Sequence, residues 1–469
     1  MDTLAAYFDR LAPAWDRWKR RNAYYHDELT RLCQAIVPKG QHVLELGCAT
    51  GDLLAALEPA HGVGVDLSPK MTAIASGKHP GLRFVTADLD QALPPMEGPF
   101  DYIVAVNLVG HLSDIWVTMR RVRSVMQPGT RLVVVSYNHL WEPALKLAER
   151  LGLKTPLPPQ NWIPIADQAN LLETAGYEII RQGHRLLVPV WVPLLSRLVN
   201  RFVALLPGIR QLGVIEYLVA RPIPRIDASP KRCSVIVPCR NEAGNIEPLI
   251  ERMPPIGAGV ELIFVDGNST DGTRERIEAL MAREHGRHEI RLILQGAGKG
   301  KGDAVRKGFA AATGELFMIL DADLTVVPED LPKFYQVLAE GHGELVMGSR
   351  LVYPMADQAM RFLNWIAIRG FSALFSWLLE QRITDTLCGT KALHRDDYAR
   401  IVANRAFFGD FDPFGDFDLI FGAARLNRKI VELPIRYQER TYGTTKISRF
   451  RHGWLLLRMC GVALRKLTF

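Results

Sequence analysis

The chain has 469 residues, 48% of them hydrophobic and 23% charged, with 57 basic against 50 acidic residues and a formal net charge of +7. This composition excludes a largely disordered chain. Charge-free runs such as Tyr102–Ser113 and Leu186–Ser196 fall well short of the roughly 18 residues a membrane-spanning helix needs. Six scattered cysteines without a CxxC argue against a disulfide framework or a zinc site and fit a reducing cytoplasm. The opening residues mix acids with bases and show no apolar signal-peptide core.

Short β-branched runs predict strands near 42–46, 62–66, 83–86, 102–106 and 131–136, with helical stretches between them. The pattern stops at Arg221–Arg232, where three prolines disfavour both a helix and a central strand. It then restarts, with strands near 234–238, 261–266, 291–295, 316–320 and 345–348. The expected fold class is α/β: two domains, each a doubly wound and mostly parallel sheet. The expected boundaries are 1–220, a linker over 221–231, and 232–469.

In the first half, HVLELGCATG places Glu45, Gly47, Cys48 and Gly51 at the carboxyl end of a strand, where open parallel sheets bind ligands. About twenty residues on, GVGVDLS ends the second strand in Asp66 followed by Leu67. A carboxylate there accepts hydrogen bonds from a ribose diol, each worth about 1.5–3 kcal/mol. TADLD sets Asp88 and Leu89 beside the same edge, and Asn107 follows the fourth strand. GxGxxG is absent, so an adenosyl group fits better than a dinucleotide. These residues resemble the class I S-adenosylmethionine-dependent methyltransferases over residues 1–220. The resemblance implies S-adenosylmethionine as cofactor. Gly47 and Gly51 would flank its methionine part, Asp66 its ribose, and Asp88 and Leu89 its adenine, with Asn107 facing the methyl acceptor. Tyr7, Tyr24 and Tyr25 are read either as a lid or as helix packing, and His111 either as a base or as structural.

In the second half, ELFMILDADLT ends an apolar run in Asp321 and Asp323. Residues i and i+2 of a strand share a face, and two adjacent carboxylates repel unless a cation or a proton joins them. Mg²⁺ or Mn²⁺ completed by phosphate oxygens answers that need. SVIVPCRNEAGNI places Pro238, Asn241 and Glu242, and ELIFVDGNSTDGT places Asp266 and Ser269, at two further strand ends. Asp271 reads as a helix N-cap. GKGKGDAVRKG opens a helix with Lys301, a natural anion site that is not a P-loop.

Together with GSR at 348–350, DTLCGTK at 385–391, GDFDLIF at 415–421 and ERTYGTTK at 439–446, these pieces resemble the family 2 glycosyltransferases of GT-A fold. They are most similar to the dolichyl- or polyprenyl-phosphate mannosyl- and glucosyltransferases. The resemblance implies that Pro238, Asn241, Glu242, Asp266, Ser269 and Lys301 hold a nucleotide sugar and that Asp321 and Asp323 hold metal and diphosphate. Arg350, Arg440 and Lys446 would neutralise phosphate. Arg240, Gly267 and Thr325 depart from the family pattern and bear on the donor base and sugar.

The expected enzyme is bifunctional: a methyltransferase joined to an inverting hexosyltransferase that uses a GDP-mannose- or UDP-glucose-type donor and a lipid phosphate acceptor. A lipid phosphate needs no general base. A hydroxyl acceptor needs one, with Asp416 or Asp418 as candidates. The competing reading pairs that hydroxyl acceptor with a non-catalytic first half. The segment 436–469 carries eight bases against one acid. With the apolar stretch 360–379, it predicts peripheral attachment to the cytoplasmic face of a membrane. No nucleic-acid-reading motif is present. The apolar segment 186–209 is read as an interface to lipid, as an interface to the second domain, or as core.

Overall fold

The structure is a computed structural model. It describes residues 3–224, 229–283, 288–298, 300–351, 362–405, 416–438, 440, 442, 458, 461 and 464, with backbone alone for 362–368 and 416. The chain divides into two compact units, the division falling between Pro224 and Arg225.

The first unit holds seven strands: β1 His42–Leu46, β2 His61–Asp66, β3 Arg83–Thr86, β4 Tyr102–Val106, β5 Arg131–Tyr137, β6 Tyr177–Arg185 and β7 Ile215–Pro222. Their order is β3-β2-β1-β4-β5-β7-β6. β1 to β5 run parallel, and β7 is antiparallel to both its neighbours. Every residue of β1 but His42 is buried, as a strand covered on both faces requires. Leu46 stands beside Val65 and Ala105, so the carboxyl ends of β1, β2 and β4 lie level. The order reverses between β1 and β4, which opens a crevice at that edge.

β6 and β7 escaped the sequence reading. β6 (YEIIRQGHR) is interrupted by charge, and β7 (IEYLVARP) runs into the proline-rich segment. β7 nevertheless takes in Arg221 and Pro222. Pro222 is tolerated because it ends the strand opposite Tyr177. Arg221 is buried, 2.6 Å from Glu178.

The second unit holds β8 Cys233–Cys239, β9 Val260–Asp266, β10 Glu289–Leu294, β11 Leu316–Ile319, β12 Leu345–Ser349, β13 Lys391–His394 and β14 Ile430–Pro434. Their order is β10-β9-β8-β11-β13-β12-β14, and β13 alone among them runs antiparallel to its neighbours. Both units are therefore α/β with mostly parallel sheets.

β11 stops at Ile319, so Asp321 and Asp323 stand in the turn beyond it, with Leu324 at φ +57°. The alternation that would place both acids on one strand face does not apply there. The helix Phe362–Leu379 lies in the stretch expected at a membrane interface; where its side chains are described, one face is buried while Arg369, Gly370 and Ala373 are exposed. Phe375, Leu378 and Leu379 are buried, and Phe375 stacks on Phe421 at 5.3 Å. No helix among the described residues is long and apolar enough to cross a membrane. Nearly all of the basic segment 436–469, including Lys446, lies outside the described residues.

Candidate functional site

At the carboxyl edge of the first sheet lies a cavity of about 360 Å³. Glu45, Gly47, Cys48, Asp66, Leu67, Asp88, Leu89 and Asn107 line it. Gly51 stands behind this wall. It has φ +77°, and a Cβ there would fall 2.6 Å from the Phe84 ring. Both the backbone sign and the close approach therefore require glycine. The Asp66 carboxylate accepts the backbone N–H of Ala49 at 2.8 Å and of Ser68 at 2.9 Å, which fixes its plane against the turn after β1. Asp88 is braced by the Asp90 N–H at 3.0 Å.

Burial pushes the Glu45 carboxyl up to about 8, against the pull of Lys19. Its Oε2 and the Oδ1 of Asn107 are buried without a partner. Buried acceptors left open in a cavity fit a ligand rich in donors and positive charge, which is the character of S-adenosylmethionine. Of the tyrosines read as a lid, Tyr25 alone lines the cavity. Tyr7 donates to the Pro156 carbonyl, and Tyr24 accepts from Asn200. Phe8 and Trp15 of the helix Leu4–Arg21 line it instead. Three ties hold that helix over the motif: Asp9 to Ser68, Asp16 to Thr50 at 3.1 Å, and Lys19 to Asp52 at 2.8 Å. His111 lines the same cavity, and burial lowers its imidazole to about 4, which keeps it neutral.

In the second unit the ends of β8 and β9 are laced together. Asn241, at φ +55°, receives the Thr270 N–H on Oδ1 at 2.8 Å and gives its own N–H to Ser269 at 2.9 Å. The Ser269 N–H reaches Asp266 at 3.2 Å. Asp271 does more than cap the helix Thr273–Arg283. One oxygen accepts from Thr273 and the other from the Ala243 N–H at 3.1 Å, so it joins both loops. Its carboxyl is lowered because these bonds outweigh burial.

Arg440 bridges Glu242, at 3.1 Å, and Asp323. Lys301 meets Asp321 at 2.6 Å. Burial alone would raise the Asp321 carboxyl; Lys301, with Lys391 and Arg350 nearby, lowers it instead. In this structure, then, two bases answer the repulsion between the acids. A Cβ on Gly389 would fall 2.2 Å from Asp321 Oδ2 and 2.4 Å from Lys301 Nζ, so glycine leaves room for that pair. No group of three acidic, histidine or cysteine ligands occurs among the described residues. Two carboxylates alone fit a hard cation that would draw its other oxygens from a bound ligand and water, not an all-protein cage.

Arg350 does not stand open. Asp385, fully buried, grips it with two bonds of 2.7 and 2.8 Å. Asp385 and Lys391 belong to the quoted DTLCGTK segment, but the sequence reading assigned them no role; their spacing within that motif was the available signal. Asp418, a candidate base, is engaged by Arg405 at 3.3 Å and Arg306 at 3.6 Å. Asp416 begins the helix Asp416–Arg425, and its side chain lies outside the described residues.

Residues 17–182 match the family described as a methyltransferase domain, and residues 234–402 match glycosyl transferase family 2. The chain is 41% identical over 110 residues to the dolichol-phosphate mannosyltransferase of Saccharomyces cerevisiae, covering 22% of this chain and 40% of that one. It is 28% identical over 222 residues to the dolichol-phosphate mannosyltransferase of Pyrococcus furiosus, covering 46% and 59%. It thus spans about half the length of these two relatives. An uncharacterised glycosyltransferase of Mycobacterium bovis is 30% identical over 227 residues, covering 48% of this chain and 93% of its own length. The chain therefore joins an S-adenosylmethionine-dependent methyltransferase domain to a glycosyltransferase domain, and through the latter it belongs to the family 2 glycosyltransferases.

Proposed function

We propose that the second unit transfers a hexose, with inversion, from a nucleoside diphosphate sugar of the GDP-mannose or UDP-glucose type to a lipid phosphate, and that the first unit transfers a methyl group from S-adenosylmethionine to an acceptor. The observation that carries the first part is the pairing of Lys301 with Asp321 and of Arg440 with Asp323 and Glu242 at the ends of β8 and β11. These charges can change partners. When a diphosphate arrives, Lys301 and Arg440 turn to its oxygens and the two carboxylates are left for a cation. A bound Mg²⁺ or Mn²⁺ would neutralise charge building on the leaving diphosphate. The same reading places the donor on Pro238, Asn241, Asp266 and Ser269, and the activity at the cytoplasmic membrane face. A panel of nucleotide sugars with polyprenyl phosphate, run with Mg²⁺ or Mn²⁺ and then with chelator, tests it. Transfer that ignores chelation refutes the metal, and no transfer from any donor refutes the acceptor.

The acceptor class has its own test. A phosphate oxygen is already ionised, so Asp416→Asn is expected to leave transfer to polyprenyl phosphate within about threefold of the unchanged enzyme. A loss of about a thousandfold means that a hydroxyl acceptor is being deprotonated there.

For the first unit, Glu45 predicts a pH-dependent affinity. Its carboxyl, held at about 8 by burial, carries a proton at pH 7 in the cofactor-free cavity. A cationic cofactor favours the ionised form, so binding releases that proton. Affinity for S-adenosylmethionine then rises with pH, by at most about tenfold per unit, and levels off above 8. Calorimetry in buffers of different ionisation enthalpy counts the proton, and Glu45→Gln abolishes both its release and the slope. The absence of any heat of binding would favour a non-catalytic first unit.

A further inference from the structure

Between β6 and β7 the chain inserts residues 186–214, and this segment is built inside out. Leu194, Leu195, Leu198 and Phe202 are 79%, 51%, 55% and 60% exposed, while Ser196 is completely buried. Ser196 Oγ donates to the Val190 carbonyl at 2.7 Å and accepts the Val192 N–H at 2.8 Å. Asn200, one turn on, holds both the N–H and the carbonyl of Val188 at 2.9 Å and donates to the Tyr24 hydroxyl at 3.0 Å. The polar side chains pin the segment inward and the leucines face out, the reverse of a helix packed on its own core. A display of this kind marks an interaction surface.

Charge indicates what the surface meets. Residues 186–214 contain no acid and three arginines, Arg197, Arg201 and Arg210. Arg197 lies over the Trp191 ring at 5.2 Å and Arg201 over Phe202 at 5.9 Å, so bases and aromatic rings share one face. At the root of the segment Arg181 and Arg185 flank the Tyr217 ring at 6.0 and 5.6 Å, and Arg210 bonds the Tyr217 hydroxyl. An exposed apolar face with an aromatic ring and arginines but no acid is complementary to a bilayer that carries anionic headgroups. Pro189 and Val190 of the same segment line the cavity of the first unit, so this face adjoins that cavity.

We propose that the insert 186–214 seats the methyltransferase unit on an anionic lipid surface, so that its acceptor is drawn from the membrane. This stands apart from the reading of the second unit, because its test places the probe in the first.

The test uses the full chain, with Leu198→Cys labelled by an environment-sensitive nitrobenzoxadiazole dye. The described cysteines are all buried, and Cys460 is replaced by serine. Vesicles of phosphatidylcholine with phosphatidylglycerol are expected to raise and blue-shift the emission, and doxyl-labelled lipid to quench it. Vesicles of phosphatidylcholine alone should do much less. Each base near such a surface strengthens binding about fivefold, so Arg197→Gln with Arg201→Gln is expected to weaken this response roughly 25-fold. Neither arginine lines the cavity, so S-adenosylmethionine binding should be unchanged and serves as the folding control. Three outcomes overturn the proposal: no vesicle binding at all, binding that leaves the dye unchanged, or a dye already shielded from iodide before lipid is added. The last would assign the face to the second unit or to another copy of the chain.

Discussion

Asparagine in place of Asp321 is expected to lower hexosyl transfer about a thousandfold, with S-adenosylmethionine binding by the first unit unchanged. The substitution keeps the shape and removes the charge. In the folded protein that charge is well developed: Lys301 at 2.6 Å, with Lys391 and Arg350 nearby, overcomes the effect of burial and lowers the carboxyl below its ordinary value. Without it, Lys301 loses its partner, and the divalent cation proposed above would lose one of its two protein carboxylates. Removing a single group that stabilises developing charge in a water-poor site costs about a hundred- to a thousandfold. Initial rates with saturating donor and Mn²⁺ provide the measurement. A rate within threefold of the parent would mean that Asp321 serves only to hold Lys301, and the proposed chemistry of the second unit would fail.

Replacing Arg350 with methionine is expected to destabilise the second unit by about 3–5 kcal/mol, because it leaves a buried carboxylate uncompensated. Asp385 has no exposure and receives two bonds from the guanidinium. Arg350 in turn lies 5.2 Å from the Tyr437 ring centre. The pair explains why Asp385 titrates below and Arg350 above their ordinary values: in each case their mutual bonds outweigh burial. Urea denaturation followed by a probe in each unit should show an earlier transition for the second unit alone. Adding Asp385→Asn should recover part of that stability, since asparagine needs no counter-charge. If the double variant falls further than Arg350→Met alone, the ion pair is not the source of the loss.

The two predictions rest on different kinds of information. Asp321, Asp66 and Glu45 stand at strand ends that could be located from alternating apolar runs, because a parallel sheet sets its strand ends level and so gathers the residues that follow them. The motifs around those ends were legible for the same reason: a turn at positive φ with no room for a Cβ, as at Gly51, demands glycine and leaves its mark in the sequence. What each acid faces was not legible. The sequence argued for an ion between Asp321 and Asp323, but not that each carboxylate also faces a base of its own.

Arg440 comes from 198 residues beyond Glu242 to bridge it to Asp323, and Asp385 reaches Arg350 across 35 residues. Such partners are chosen by packing, which no local pattern encodes. The same holds for 186–214, whose apolar letters were compatible with core or surface. The inward hydrogen bonds of Ser196 and Asn200 turned the leucines outward. The sequence by itself determined the two α/β halves, the strand-end positions of the candidate residues and the two families, because these follow from period, turn chemistry and local motif. Only the tertiary structure decided which charges meet, which arginine is locked and which apolar face stays exposed, because those are relations between residues far apart along the chain.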